Sequence, residues 1–215
     1  MATQPELELM TDNTHQNLEI EVKFLVRDLD PLRQKLIDLG ANLKKDRVYE
    51  RNIRFDNAWD GLRLQRKLLR LRQDTRARIT YKGELEQPVA SEARIRKELE
   101  MEIEDFETAA AILELIGFEQ KQVYEKYRET FEFGQVEVVL DELPFGDFVE
   151  LEGQEIDIRE AAGVLGLNWS KRILDNYLAI MDRLKNEHLL PFNDLTFDNF
   201  VQSEVSASTI LEFSG

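Results

Sequence analysis

At 215 residues the chain fits one large domain or two small ones, and all-β barrels reach this size as a single unit. Its 28 Lys plus Arg against 43 Asp plus Glu give a net charge of −15, which argues against whole-surface attraction to nucleic acid or anionic membrane and makes any anion site a local one. Cysteine is absent, which excludes disulfides, zinc-thiolate centres and thiol nucleophiles; His15 and His188 fall in a polar lead and a late helix, a poor basis for a histidine metal site.

After a polar lead over 1–17, Leu18 to Val26 alternate strictly. Ile20, Val22, Phe24 and Val26 share one face, and Glu19, Glu21, Lys23 and Leu25 the other, which is the period of a strand. Asp30-Pro31 opens a helix with the stripe Leu32, Leu36 and Leu39, stopped by Gly40. A second strand is expected over Arg47 to Phe55, then a loop marked by Asp56-Asn57 and Asp60-Gly61. A hairpin of Leu68 to Arg72 and Arg76 to Lys82 turns at Gln73-Asp74-Thr75. Gly83 to Ser91 reads as a mobile connection. From Arg94 a second strict alternation runs, Arg94, Arg96, Glu98, Glu100, Glu102 and Glu104 opposite Ile95, Lys97, Leu99, Met101 and Ile103.

An Ala-rich helix over Glu107 to Ile116 stops at Gly117. Three more strands, Gln120 to Phe133, Gln135 to Leu140 and Phe148 to Glu152, bring the number to about eight. Helices are expected over Ile156 to Leu165 and over Lys171 to Asn186, the latter with Ser170 as N-cap. The main domain therefore spans 18–188. After Pro191 the periodic signals fade, and 189–215 is expected to be a loosely held or partner-dependent tail.

A single strand with a charged face ordinarily turns that face to water. Here at least six segments gather charges of both signs at every second position, and a closed barrel would turn all of them toward one space. Residues on one face of a strand are about 6.6 Å apart and facing residues on neighbours about 5 Å, so several carboxylates can reach a common ion. The acidic set is Glu19, Glu21, Glu98, Glu100, Glu102, Asp141, Glu150 and Glu152. The cationic set is Lys23, Arg54, Arg70, Arg72, Lys82, Arg96, Lys126 and Arg128. Enclosing so many like charges without partners costs several kcal/mol per ion, roughly, so both sets and bound ligands are needed for balance. Oxygen-rich donors without Cys or His suit Mg²⁺ or Mn²⁺, and a polyphosphate suits the cations.

Glu19-x-Glu21-x-Lys23, Leu69-Arg70-Leu71-Arg72, Thr80-Tyr81-Lys82-Gly83, Arg96-x-Glu98-x-Glu100, Lys126-x-Arg128, and Asp141 followed by Gly146 to Glu152 resemble, in order, the motifs of the CYTH family, also called triphosphate tunnel metalloenzymes. The resemblance covers Leu18 to about Leu184. It implies an α+β fold built on an eight-stranded antiparallel β barrel, with helices outside it and at its C-terminal side. It also implies a triphosphate-bearing small-molecule substrate and Mg²⁺ or Mn²⁺ as cofactor. Carried over residue by residue, it implies metal binding by Glu19, Glu21, Glu98, Glu100, Asp141, Glu150 and Glu152. Phosphate binding falls to Lys23, Arg54, Arg70, Arg72, Lys82, Lys126 and Arg128, with Glu21, Lys82 and Glu150 in catalytic roles.

Two reactions fit such a tunnel. One is hydrolysis of inorganic tripolyphosphate or an organic triphosphate such as thiamine triphosphate, which is the first expectation. The other is class IV adenylyl cyclase chemistry, ATP to cyclic AMP and pyrophosphate. Cyclases of this family often carry a His-Phe pair just before Glu-x-Glu-x-Lys, whereas this chain has His15-Gln16. A non-catalytic polyphosphate or nucleotide sensor is a third reading, opposed by the retained acidic set. No run of 18 apolar residues and no secretory pattern occurs, so a cytoplasmic protein without membrane or nucleic-acid partners is expected. A homodimer is open, since the family often pairs barrels.

Overall fold

The computed structural model describes residues 18–85, 87, 89–201 and 203–214. The lead over 1–17, with His15, lies outside the described residues. Eight strands form: β1 (Leu18–Val26), β2 (Asn42–Asp56), β3 (Leu68–Gln73), β4 (Ala77–Gly83), β5 (Arg94–Ile103), β6 (Glu119–Phe133), β7 (Val136–Leu143) and β8 (Gly146–Glu152). All neighbours are antiparallel, and the sheet closes on itself in the order β1-β5-β4-β3-β2-β6-β7-β8. Closure leaves no edge strand, which removes the unpaired backbone rows an open sheet would expose.

Helices α1 (Asp30–Asp38), α2 (Gly61–Leu64), α3 (Phe106–Leu115), α4 (Glu155–Leu165), α5 (Tyr177–His188) and α6 (Phe197–Phe200) lie around this ring. The outward apolar faces of the strands pack on α1, α3 and α4, whereas α5 and α6 pack on Leu25, Tyr124 and Phe148, which share the lumenal face. Val22, Phe24 and Val26 of β1, Val138 and Leu140 of β7 and Val149 and Leu151 of β8 pack with Leu36 of α1 and Ile158, Ala162 and Leu165 of α4. A second cluster sets Ile53, Phe55 and Leu71 against Phe106, Ala110 and Leu113 of α3, whose start is capped by Asp105 accepting from the Thr108 N–H. At about 1.5–3 kcal/mol for each fully buried large apolar side chain, these outer layers supply the driving force, and the barrel interior is left to the charges. The polarity of the fold is thus inverted relative to a sandwich.

Three expectations need correction. β2 begins at Asn42, five residues earlier than the apolar pattern suggests, because its first half pairs with β6 through irregular register between Leu43 and Val48. The helix expected over Lys171 to Asn186 does not begin there. Trp169–Lys171 forms a single 3₁₀ turn, Ile173 then exchanges two backbone hydrogen bonds with Lys23, and α5 starts only at Tyr177, capped by Asn176 accepting from the Ala179 N–H. Ser170 therefore caps nothing helical; a mid-segment backbone pairing overrode the helical stripe.

The described part of the tail is packed, not loose. Leu190, Leu195, Phe200 and Ala207 are buried with Phe145, Phe148, Tyr177, Ile180 and Leu184, and Leu195 forms a parallel bridge with Tyr124 of β6. The Ser214 N–H donates to the Leu25 carbonyl at 2.8 Å. The buried residues of the tail, Leu190, Leu195, Phe200 and Ala207, are five to seven apart, which matches neither the helix nor the strand period.

Candidate active site: a charged barrel lumen

The parity of each strand decides which side chains enter the lumen, and the register decides which of them meet. On β1, Glu21 sits opposite Glu152 and Lys23 opposite Glu150 of β8, while Glu19 sits opposite Arg96 of β5. Farther round the ring Lys82 faces Glu98, Arg70 faces Thr80, and Lys126 faces Glu50. Apart from Thr80 and Glu50, these side chains line a cavity of about 340 Å³. Its walls carry Glu19, Glu21, Glu98, Glu100, Glu137, Glu150 and Glu152, and Lys23, Arg70, Arg72, Lys82, Arg96, Lys126 and Arg128.

The acidic wall is concentrated at three residues. Glu19, Glu21 and Glu152 each bring a carboxylate oxygen within 4.8 Å of the others. Burial raises the Glu19 pKa, but Lys82 and Arg96 outweigh it and hold this carboxyl at about 2. Glu152 goes the other way. Burial, with Glu150 and Glu19 close by, pushes it up to about 8. Three converging carboxylates are a donor set suited to a hard divalent cation, which relieves the repulsion between them.

The cationic wall is built in two tiers. Lys126 and Arg128 reach into the lumen, and Asp141 stands behind them, fully buried. Asp141 accepts from Lys126 at 3.0 Å, from Arg128 through both fork nitrogens at 2.7 and 2.6 Å, and from the Tyr177 hydroxyl at 2.9 Å. Arg128 also donates to Glu150 at 2.6 Å, and Lys23 lies 3.2 Å from the other Glu150 oxygen. Burial opposes ionisation of Glu150, yet Lys23, Arg128 and Lys126 hold its pKa well below the usual range. Arg70 donates to the Tyr124 hydroxyl at 3.1 Å and to Thr80 at 3.2 Å, and Arg72 to Glu100 at 2.7 Å. The buried Nε–H groups of Arg70, Arg72 and Arg96 have no acceptor among the described residues, which leaves donors for an anion entering the cavity.

The expected metal-binding carboxylates therefore divide. Glu19, Glu21 and Glu152 converge; Glu150 is held between Lys23 and Arg128; Glu98 lies 3.0 Å from Lys82; Glu100 is held by Arg72. Asp141 does not line the cavity and is saturated by its cations, so it orients them and is not placed as a metal ligand. Of the expected phosphate-binding residues, Lys23, Arg70, Arg72, Lys82, Lys126 and Arg128 line the cavity, while Arg54 points into a different cleft beside α5. Sequence reasoning missed Glu50, fully buried 3.8 Å from Lys126 and 3.7 Å from Arg72, and both tyrosines, Tyr124 and Tyr177. Glu50 precedes the strict part of the alternation, and single tyrosines carry no motif. Trp59 is 78% exposed and outside the cavity wall.

A closed eight-stranded antiparallel ring with carboxylate and cation walls around one cavity defines the architecture. The CYTH domain family matches residues 17–169, and the chain belongs to that family. A Methanocaldococcus jannaschii protein named "Putative adenylate cyclase MJ0240" is 30% identical over 150 residues, 69% of this chain and 83% of that protein. The structure of a Vibrio parahaemolyticus protein described as a "putative adenylate cyclase" aligns with a TM-score of 0.69 at 21% identity, over 77% of this chain and 98% of its own. A Hippeastrum protein, HpAC1, titled a "putative adenylyl cyclase" with "a dominant" triphosphatase activity, aligns with a TM-score of 0.53 at 16% identity, over 78% of this chain and 95% of its own. These two likenesses speak for the fold.

Proposed function

We propose that the chain is a divalent-metal-dependent enzyme that hydrolyses a triphosphate-bearing small molecule within the barrel, with inorganic tripolyphosphate as its best-fitting substrate. The observation that carries this reading is the opposition of the Glu19, Glu21 and Glu152 cluster to the wall of Lys23, Arg70, Arg72, Lys126 and Arg128 in one cavity. Mg²⁺ or Mn²⁺ held by the three glutamates would neutralise phosphate charge and lower the pKa of a bound water. Lys126 and Arg128, fixed by Asp141, bind and orient the non-bridging oxygens. The Arg70 and Arg72 forks take the other end of the chain, and Lys82, shared by Glu19 and Glu98, spans the two walls.

Two observations bear on the choice between hydrolysis and cyclisation. The only aromatic rings on the cavity wall among the described residues are Tyr124 and Tyr177, both committed to Arg70 and Asp141, so no free ring is offered to an adenine base. This favours a compact inorganic or small organic triphosphate. The cyclase reading is supported by the name of the Methanocaldococcus relative.

Purified protein supplied with tripolyphosphate, thiamine triphosphate and ATP in turn, with Mg²⁺ or Mn²⁺, separates the readings by its products. Phosphate from tripolyphosphate is the expected outcome. Cyclic AMP and pyrophosphate from ATP, with tripolyphosphate untouched, would overturn it in favour of the cyclase; metal-independent binding without turnover would leave a sensor.

A further inference from the structure

Arg54 was expected in the lumen and has the correct parity for it. It is the register partner of Arg70 on β3 and of Gln122 on β6, so it continues the cationic face beyond Arg70. Arg70 bonds to Tyr124 over the intervening β2 and lines the lumen cavity, whereas Arg54 lines a second cleft of about 460 Å³ with residues of the α2 region and α5. Arg54, Arg63, Lys121 and Lys185 line this cleft, against only Asp60 and Asp182.

Gathering four cations at one end of a chain with net charge −15 raises the local potential and is unfavourable unless something answers it. The available carboxylates answer three of the four, Asp56 at Arg54, Asp182 at Arg63 and Glu119 at 2.6 Å from Lys121, and leave Lys185 without one among the described residues. Asp56, 3.2 Å from Arg54, already accepts from the backbone N–H groups of Asn57, Leu62 and Arg63. The Arg54 side chain is only 12% exposed, and its buried Nε–H has no acceptor among the described residues. Lys185 is bonded to the neutral Asn193 amide oxygen and has no carboxylate within 4.0 Å among the described residues. Arg63 shares Asp182 at 3.3 Å with both groups about half exposed, an ion pair that a doubly charged ligand can replace at little cost.

We infer that this cleft is a second oxyanion site, separate from the lumen cavity, that takes a phosphate-class anion such as inorganic pyrophosphate between Arg54, Lys121 and Lys185. Arg54 supplies a directed N–H from a nearly buried, fixed guanidinium, Lys185 supplies a point charge without a carboxylate partner, and Lys121 can exchange its half-exposed partner Glu119 for the ligand. Arg54, Arg63 and Lys121 come from the stretch matched by the family, and Lys185 and Asn193 from α5 and the segment after it. The site stands independently of which reaction the lumen performs.

The test is calorimetric titration of the full chain with inorganic pyrophosphate, without divalent metal and at fixed ionic strength. Two binding events are expected. Lys121→Ala/Lys185→Ala should weaken one of them by roughly tenfold or more, as loss of charge-assisted bonds requires, and leave the other and the KM for tripolyphosphate unchanged. Lys126→Ala should do the reverse. Lys185→Glu alone, on an exposed helical position that tolerates either residue, should abolish the cleft event by repulsion if the double variant folds poorly. A single event in the native chain, or two events indifferent to Lys121 and Lys185, would refute the site; a raised tripolyphosphate KM in the double variant would make the cleft a mouth of the lumen site. Two pyrophosphate events with no triphosphate turnover would remove the proposed reaction and keep this inference.

Discussion

Replacing Asp141 by Asn removes one negative charge from the most enclosed point of the cationic wall and keeps the shape. Asp141 is fully buried and accepts four hydrogen bonds, three of them from Lys126 and Arg128. An amide retains one acceptor oxygen and turns an NH₂ toward the cations, so at least two charge-assisted bonds are lost, each about 1.5–3 kcal/mol. Breaking a buried ion pair from one side costs about 3–5 kcal/mol. Part is recovered, because Arg128 keeps Glu150 at 2.6 Å and Lys126 keeps Glu50 at 3.8 Å. A net loss of about 3 kcal/mol follows, or roughly 6–12 °C in Tm for a domain of this size. Differential scanning fluorimetry reads it directly. Saturating tripolyphosphate should raise the Tm of Asp141→Asn by more than it raises the native Tm, because the polyanion supplies the missing charge. A variant Tm within about 2 °C of native, or an equal ligand shift in both, would show that Asp141 does not carry the wall.

Glu21→Gln should lower tripolyphosphate turnover by at least about a hundredfold while circular dichroism stays native, since it removes one carboxylate of the converging set without changing volume; an unchanged rate would remove Glu21 from the site. Gly153→Ala should destabilise by about 1–3 kcal/mol in urea melts, because Gly153 has φ +156° and a Cβ would lie 3.0 Å from the Gln135 carbonyl oxygen. The same change should lower turnover through displacement of the adjacent Glu152. Asp74, half-buried at the β3–β4 turn with Lys45 and Arg78, has its pKa lowered from 3.8 to about 2, burial being outweighed by the Lys45 hydrogen bond and the Arg76 N–H. A depressed folded pKa stabilises above the unfolded value and the gain is lost as pH falls toward 2, so Asp74→Asn should cost about 1–2 kcal/mol at pH 7 and about half that at pH 3; a cost that grows on acidification would reverse the sign and refute the assignment. Leu195→Ala, at a fully buried position of the tail, should cost about 2–4 kcal/mol, whereas a cost near zero would mean that the tail contributes no packing.

The strands were legible because their period is local. Ile20, Val22, Phe24 and Val26 face the helical layer and Glu19, Glu21 and Lys23 face the lumen, as their alternation requires. Depth along the barrel was not legible. Arg54 shares the parity of its register partner Arg70 but lines a separate cleft, and parity alone cannot distinguish the two positions. Nor does parity say which charges reach a ligand. Asp141 and Glu150 belong to neighbouring strands and were expected in one role, yet Asp141 is spent on its two cations and the Tyr177 hydroxyl. Tyr177 arrives from a helix whose start was set by the Ile173 to Lys23 backbone pairing, a contact 150 residues apart in sequence.

Register is what converts a list of charges into a site. The same β1 sequence slipped by two residues would keep every side chain on its face, yet would set Glu19 rather than Glu21 opposite Glu152 and break the match of Lys23 with Glu150. Nothing in the alternation forbids that slip. The apolar outer face would stay apolar, at the cost of moving Phe24 from its packing against Trp169 into the seat of a smaller residue. What forbids it is electrostatic: in the observed register Lys23 lies between Glu21 at 2.5 Å and Glu150 at 3.2 Å, and Arg96 reaches Glu19 at 3.2 Å and Glu21 at 3.1 Å. Slipping β1 would leave buried charges unpaired at several kcal/mol each, roughly, more than any repacking of apolar side chains could return. The charges that the proposed chemistry uses are therefore also the ones that select the strand register, which ties the integrity of the ring to the integrity of the site.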